Sequence, residues 1–391
     1  MIKATKALNI VLGQVCSLGL ETLPVSAALG RVLAKNIYSD VNIPPFNRSA
    51  MDGFAINSKD PAEVFAVIED IPAGKVPGKT IKSGECARIM TGAMLPKGAD
   101  QVIRVEDSIK EPANKVKMRR SVAGRKNVAQ RGEDVKKGEL VLRSGTLIRP
   151  QEVAMLATVG KTNVKVVRLP KVGVISTGSE LVEPIFKPTT GQIRNSNGPM
   201  LIAQLQRLGI EANYLGIAKD NIKATKAMVA QGLRENDILI LSGGVSVGDY
   251  DFVKEVLQDC GVKIIFNKVA IKPGKPTVFG TKRNKLIFGL PGNPVSVLVV
   301  FELFVAPAIS KMIGKESPEA FISLPLITDH SCKSSKREQY QPVLIKQGGV
   351  QPIDFHGSAH MFALTKANAI MRIKSGTNEL KKGTIIDVRP I

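Results

Sequence analysis

The 391-residue chain contains no tryptophan, and aromatic residues make up only 4% of it. Proteins that grip single-stranded nucleic acid stack bases on aromatic rings, so that class is not expected. Histidine is scarce too: His330, His356 and His360 are all there are. Three leave little for a histidine-based metal centre. His356 and His360 are spaced to share a helix face, although surface placement is the simpler reading. The four cysteines (Cys16, Cys86, Cys260 and Cys332) stand far apart with no CxxC pair. Neither a disulfide framework nor a zinc site is expected, which fits a reducing cytosol and a cytoplasmic protein. No run of about 18 uninterrupted apolar residues occurs, so no membrane span is expected. Acids are short as well: 34 Asp and Glu against 55 Lys and Arg, a formal charge of +21. That excess draws polyanions or an anionic substrate and carries no information about the fold.

What is present describes a globular protein, 43% hydrophobic and 23% charged. The length exceeds one ordinary core, so two to four domains are expected. Leu8, Val11, Leu12 and Val15 fall at helical spacing and predict an amphipathic first helix. Lys3, Lys6 and Ser26-Ala27-Ala28 also suit a signal peptide, but Asn9, Gln14 and Ser17 interrupt its apolar run. From Ile43-Pro44-Pro45 through Met51-Asp52-Gly53 the chain reads as a stiff, polar entry loop, or equally as a hinge with an Asx turn. Short strands follow over Ala66–Ile68, Ala87–Met90, Gln101–Val105 and Lys115–Met118, a β-rich region. Residues 114–149 carry eleven basic residues against three acids. No helix-turn-helix, zinc-finger or aromatic RNA-binding signature accompanies them, so a solvated face is expected. Residues 151–158 look helical.

From Lys171 to Gly314 strand and helix patterns alternate. Strands are expected over Val172–Ile175, Tyr214–Ala218, Ile238–Leu241, Lys263–Lys272 and Leu286–Leu290. Helices are expected after Asn197, over Ile222–Arg234, from Phe252, and from Pro294 to about Ala306. Such repeats predict a parallel sheet with helices on both faces, binding ligands beyond the strand C-termini. At the centre, Ile238–Leu241 runs into Ser242-Gly243-Gly244-Val245-Ser246-Val247-Gly248, then Asp249 and Asp251. Strand, donor-rich glycine loop, acid and helix is the sequence form of a phosphate or oxyanion crevice. A capped strand–helix turn has the same form. The other strand ends carry Thr177 and Glu180, Asp220, Lys272 and Gly289–Asn293, and this coincidence favours a binding site. The residues after Pro318 read as a small all-β region.

The motifs PPFNRSAMDGFA (44–55), RIMTGAMLPKGAD (88–100), RGEDVKKGE (131–139), STGSELV (176–182), GQIRNSN (191–197), SGGVSVGDYDF (242–252), KVAIKPGKP (268–276) and GLPGNPVS (289–296) run in order along nearly the whole chain. With PVSAALGRVLA (24–34), they resemble the molybdopterin molybdenumtransferases of molybdenum cofactor biosynthesis, relatives of the gephyrin C-terminal domain. The resemblance implies a multi-domain α/β plus β protein. A discontinuous helical domain covers 1–43 and 135–170. A β-rich domain is inserted at 44–134. A molybdopterin-binding α/β domain with a central parallel sheet covers 171–315, and a C-terminal β-barrel covers 316–391. It implies a homodimer whose site joins the α/β domain of one subunit to other domains of its partner. Transient contact with a molybdopterin adenylyltransferase and with apo-molybdoenzymes follows, without membrane or nucleic acid. The implied reaction takes adenylated molybdopterin and molybdate and releases AMP, assisted by Mg2+.

The resemblance also assigns residues. Glu180, Asp220 and Asp251 are candidates to hold magnesium, although each also suits a cap or turn. Lys268, Lys272 and Lys275 supply positive charge, with molybdate expected near Lys272, Lys275 and Ser296. Lys268 and Lys272 join the three acids as catalytic candidates. Substrate contacts are expected from Thr177, Gly178, Ser242, Gly243, Gly244, Ser246, Gly248, Pro291, Gly292 and Asn293, and from Arg337 and Ser358. Asp52, Thr91 and Asp134 are expected to complete the site across the dimer. Departures from the family pattern are Asn195 and Asn221, where aspartate is common, and Phe362-Ala363-Leu364 in place of a serine-rich stretch. Three other readings stay open: a binding protein that kept the fold, a sibling handling tungstate, and a nucleic-acid binder using 114–149.

Overall fold

The computed structural model describes residues 1–119, 127–219, 221–244, 253–315, 321–332 and 335–391. The chain forms two compact units, one of 1–22, 30–34 and 165–391, the other of 23–29 and 35–164. Asp220, Ser246, Gly248 and Asp251 lie outside the described residues, as does part of the basic stretch.

The 35–164 unit is built on a six-stranded sheet. Its strands run in the order Gln101–Arg104, Gly53–Ile56, Glu85–Ile89, Val64–Ile71, Lys115–Met118, Ser108–Glu111. All neighbours are antiparallel except Val64–Ile71 beside Glu85–Ile89. Alternation along these strands buries one set around Phe54, Phe65 and Val116 and another around Ile71, Ile89 and Val102. The helix Pro150–Thr158 begins with proline in its first turn, where the missing N–H costs nothing. Glu152 reaches back to accept from the Arg149 backbone N–H at 2.9 Å.

The larger unit centres on another six-stranded sheet. Its order is Ala212–Ala218, Val172–Thr177, Ile238–Ser242, Lys285–Leu290, Val278–Lys282, Lys263–Phe266. The first four strands are parallel, as the alternating pattern implies. Val278–Lys282 runs against its neighbours. The expected single strand Lys263–Lys272 is divided. Lys263–Phe266 pairs with Val278–Lys282, whereas Ile271–Lys272 leaves the sheet and pairs in parallel with Glu338 and Gln339. Apolar residues cover both faces. Asn197–Arg207, Ala4–Gly13 and the long helical run 294–312 share one core; Ile222–Glu235 and Val253–Asp259 contribute to the other. The 294–312 run is apolar enough to span a membrane by length, but 89% of its most apolar window is buried inside the protein.

In segments 1–43 and 135–170 the α-helices among the described residues are Ala4–Gly13 and Pro150–Thr158; short strands and a 3-10 turn make up most of the rest. The first helix buries Ala4, Ala7 and Val11 in the core of the larger unit. The C-terminal residues add a mixed sheet in the order Ile271–Lys272, Glu338–Lys346, Ala369–Ile373, Ile385–Pro390, Ile322–Pro325. Gly349–Pro352 hangs on Glu338–Lys346, and Leu326 bridges to Val350.

Candidate functional site

Parallel pairing sets Ser176 beside Ser242, and Ser242 beside Leu290. The three loops leaving these strands therefore start at one level, at the C-terminal edge of the sheet. A cleft of about 1760 Å³ opens there. It is lined by Thr177, Gly178 and Glu180, by Ser242, Gly243 and Gly244, by Lys272 and Lys275, by Pro291, Gly292, Asn293 and Ser296, and by Arg337 and Ser358. Residues from four separate sequence motifs, with two from the C-terminal region, thus meet in one place. Lys268 does not join them; it is not among the lining residues, and its carbonyl accepts the Ile2 backbone N–H at 3.2 Å. The expected strand put Lys268 on the same face as Lys272, but the first strand ends at Phe266 and Lys272 belongs to a separate short strand in the other sheet, so the shared face is lost.

Asp52, Thr91 and Asp134 belong to the other unit. Asp52 accepts from the Thr91 hydroxyl and backbone N–H, both at 2.7 Å. These bonds hold its carboxyl below the usual aspartate range. Asp134 is exposed.

Within the cleft the Thr177 hydroxyl donates to the Ser242 carbonyl at 3.2 Å, tying two loops together. Gly243 takes φ +95°, and a Cβ there would lie 2.5 Å from the Thr177 carbonyl oxygen. Only glycine fits this turn. The Glu180 carboxylate folds back over Gly178, 2.6 Å from where a Cβ would stand. Among the described lining residues Glu180 is the one acid, and Lys272, Lys275, Arg337 and Arg194 line the same cleft. Neither Lys272 nor Lys275 is paired with a carboxylate among the described residues. Arg337 donates to the Ile271 carbonyl at 3.1 Å, which anchors its guanidinium beside the Lys272 strand. The arrangement carries net positive charge over glycine-rich loops and suits a phosphorylated or oxyanionic ligand.

Among the described residues two lining atoms are buried without a partner: Ser242 Oγ and Asn197 Oδ1. A buried polar atom left unpaired is costly, so such atoms mark where a ligand group or water completes the site. Asn197 was expected only as a helix cap. Instead its amide donates to the Gly292 carbonyl at 2.6 Å, joining the helix Asn197–Arg207 to the 291–296 loop. Capping falls to Asn195, whose Oδ1 accepts from Gly198 N–H at 3.0 Å and from the Ser176 hydroxyl at 3.2 Å. Asparagine at 195 also donates to the Tyr214 hydroxyl at 2.9 Å, which donates on to Glu183 at 2.8 Å. An aspartate could not donate in this relay. Asn221 caps the helix Ile222–Glu235 through Ala224 N–H at 3.1 Å, a role aspartate fills equally. All three histidines line the cleft; His356, for which surface placement was expected, is exposed there. His356 and His360 do not share a helix, since Met361–Leu364 begins after them.

A wound α/β sheet with donor loops, one placed carboxylate and a lysine–arginine rim at its C-terminal edge defines an anion-binding α/β protein of the enzyme type. Family models locate it further. Residues 2–160 match the MoeA N-terminal region (domain I and II), 173–311 a probable molybdopterin binding domain, and 327–391 the MoeA C-terminal region (domain IV). The chain is 37% identical to a molybdopterin molybdenumtransferase of Staphylococcus epidermidis over 99% of its length and 95% of the relative. It is 35% identical to one of Staphylococcus aureus with the same coverage. A crystal structure of the molybdopterin biosynthesis moeA protein from Pyrococcus horikoshii OT3 superposes with a TM-score of 0.86 at 32% identity, covering 100% of both chains. A molybdenum cofactor biosynthesis protein from Pyrococcus furiosus shares the fold, with a TM-score of 0.63 at 22% identity over 99% of this chain and 98% of that one. The chain belongs to the molybdopterin molybdenumtransferase family, enzymes of molybdenum cofactor biosynthesis.

Proposed function

We propose that the chain inserts molybdate into adenylated molybdopterin and releases AMP, with magnesium assisting. The observation that carries this reading is the meeting, in one cleft, of two glycine-rich donor loops with Glu180, Lys272, Lys275 and Arg337. The loops at 242–244 and 291–296 hold the phosphates of the substrate. The long helix beginning at Pro294 adds the favourable end of its dipole, about 0.3–1 kcal/mol per anion. Lys272, Lys275 and Arg337 hold the molybdate oxyanion as compact charges, with the Ser296 hydroxyl as a further donor.

Magnesium takes one or two carboxylates plus waters and substrate phosphates. Glu180, beside the phosphate loops, fits that pattern; Asp220 and Asp251 are its proposed companions. When bound, the ion would neutralise charge on the phosphoanhydride. The finer architecture proposed is a C-terminal barrel, a helical domain from the two ends of the N-terminal region, and a cytoplasmic homodimer. In it Asp52, Thr91 and Asp134 serve the partner's site, and adenylyltransferase and apo-molybdoenzymes dock transiently.

The test is AMP release from adenylated molybdopterin by the purified protein, with and without magnesium and molybdate. Release requiring both, with active cofactor formed, is the expected result. Tight binding of the substrate without turnover would instead describe a binding protein, and turnover with tungstate alone a sibling enzyme.

A further inference from the structure

The anion-binding account leaves a set of rings in the cleft unused. Phe355, His356 and His360 all line it. The Phe355 and His360 rings are parallel within 8°, their centroids 6.4 Å apart. His356 lies against His360 at 16° and 4.9 Å. The pair is braced: His356 N–H donates to His360 Nδ1 at 3.2 Å, and Asp354 stands 3.1 Å from His356 Nε2. The His356 side chain is 71% exposed, so the stack ends in a largely uncovered ring.

Its position relative to the phosphate loops is fixed. Ser358 lies between the two histidines in sequence. Its hydroxyl accepts from Asn293 Nδ2 at 2.7 Å, and its carbonyl from Val295 N–H at 3.1 Å. On the other side of the same loop, Gly292 approaches Gly243 and accepts from Asn197. The cleft therefore runs from the strand-end loops, across 291–296, to the ring stack. A phosphate site flanked by a stacked pair of rings is a nucleotide's requirement, phosphate beside base.

We propose that His356 and His360 form a stacking platform for the adenine of the adenylated substrate, and for that of AMP before it departs. This rests on the transferase reading. In the substrate the phosphates separate adenine from pterin, so the two ring systems occupy opposite sides of the phosphate loops. The strand-end side holds the unpartnered Asn197 Oδ1 and Ser242 Oγ, which suit the N–H-rich pterin. The histidine side offers ring faces.

Equilibrium binding of AMP, ribose 5-phosphate and non-adenylated molybdopterin tests the assignment, using the full chain, the double variant His356→Ala/His360→Ala and its counterpart His356→Phe/His360→Phe. The wild type is expected to favour AMP over ribose 5-phosphate by about five- to hundredfold, the range of base–aromatic stacking. The alanine variant should lose that preference while holding ribose 5-phosphate unchanged, and the phenylalanine variant should keep it. Equal wild-type affinity for AMP and ribose 5-phosphate would overturn the platform. So would a uniform loss for every ligand in the alanine variant, which marks a structural role, or a loss for non-adenylated molybdopterin as large as for AMP, which puts the pterin there. Metal insertion is measured separately. AMP preference without insertion removes the transferase reading and keeps the nucleotide subsite; insertion without AMP preference removes the platform alone.

Discussion

Gly243 sits at φ +95° with the Thr177 carbonyl where a side chain would begin. Gly243→Ala therefore meets both a disfavoured conformation and a backbone clash, and is expected to destabilise by more than about 1 kcal/mol. It should also displace the donors of the 242–244 loop. Denaturant unfolding together with AMP binding checks this, and a variant as stable and as avid as the wild type would sink it. Lys272 makes a different case. The residue is half-buried and its ammonium has no carboxylate partner among the described residues, so its removal deletes charge and little packing. Lys272→Ala should raise the molybdate concentration for half-maximal insertion while leaving thermal stability nearly unchanged. An unaltered molybdate titration would remove Lys272 from the oxyanion site. Gly243 was legible because its signal is local, glycine after a buried strand; Lys272 was placed by its motif KVAIKPGKP, since the strand that carries it is not the one expected. Asn197 and the histidines were not legible. Asn197 looked like a cap, and its bond to Gly292 O joins residues 95 positions apart.

At the level of elements, the long helical run is held at its π-helical stretch Phe301–Val305. Glu302, 2% exposed, accepts there from Arg207, from Gln204 at 3.1 Å and from Arg389 at 3.2 Å. It ties the helix Asn197–Arg207 and the last strand, Ile385–Pro390, to the helix whose start lies in the cleft. Deleting one partner of such a group leaves buried charge unpaired, so Glu302→Ala should cost about 3–5 kcal/mol. Urea unfolding reads the loss; a cost under about 1 kcal/mol would show the cluster to be ornamental. A second tie precedes the central strand. Burial opposes ionisation of Asp237, but Arg168, at 2.9 and 3.1 Å, and the Lys171 N–H outweigh it and lower the carboxyl's value. With the folded value below the unfolded one, about 3.9, this stabilisation is complete above that pH and is lost as pH falls through the folded value. The melting temperature of the wild type should therefore drop more steeply below about pH 4 than that of Asp237→Asn. Parallel slopes would contradict the assignment.

For the whole molecule the dominant quantity is the +21 charge, which the cleft residues only partly account for. A field of that sign steers a polyanionic substrate inward and is screened over about 10 Å at 0.1 M salt and about 3 Å at 1 M. The kcat/KM for adenylated molybdopterin should fall by about tenfold or more between these salt concentrations, while kcat changes little. A flat salt profile would confine electrostatics to the cleft.

The sequence by itself determined the strand-and-loop chemistry: buried apolar runs ending in glycine, serine, lysine and acid, in the order of one enzyme family. These are properties of single segments, fixed by hydrophobic periodicity and backbone sterics. The division of 263–272 between two sheets was beyond it, because the pairing partner of Ile271 and Lys272 is Glu338 and Gln339, far along the chain. The antiparallel Val278–Lys282 was missed although its partner is local: it forms a hairpin with Lys285–Leu290, Lys282 pairing with Lys285 across a two-residue turn whose Arg283 has positive φ. The tertiary structure alone decided that Ser358 would bond Asn293 across 65 positions, and so that two inconspicuous histidines would stand beside a phosphate loop. Local patterns record what a segment can do; packing between distant segments settles what it does it next to.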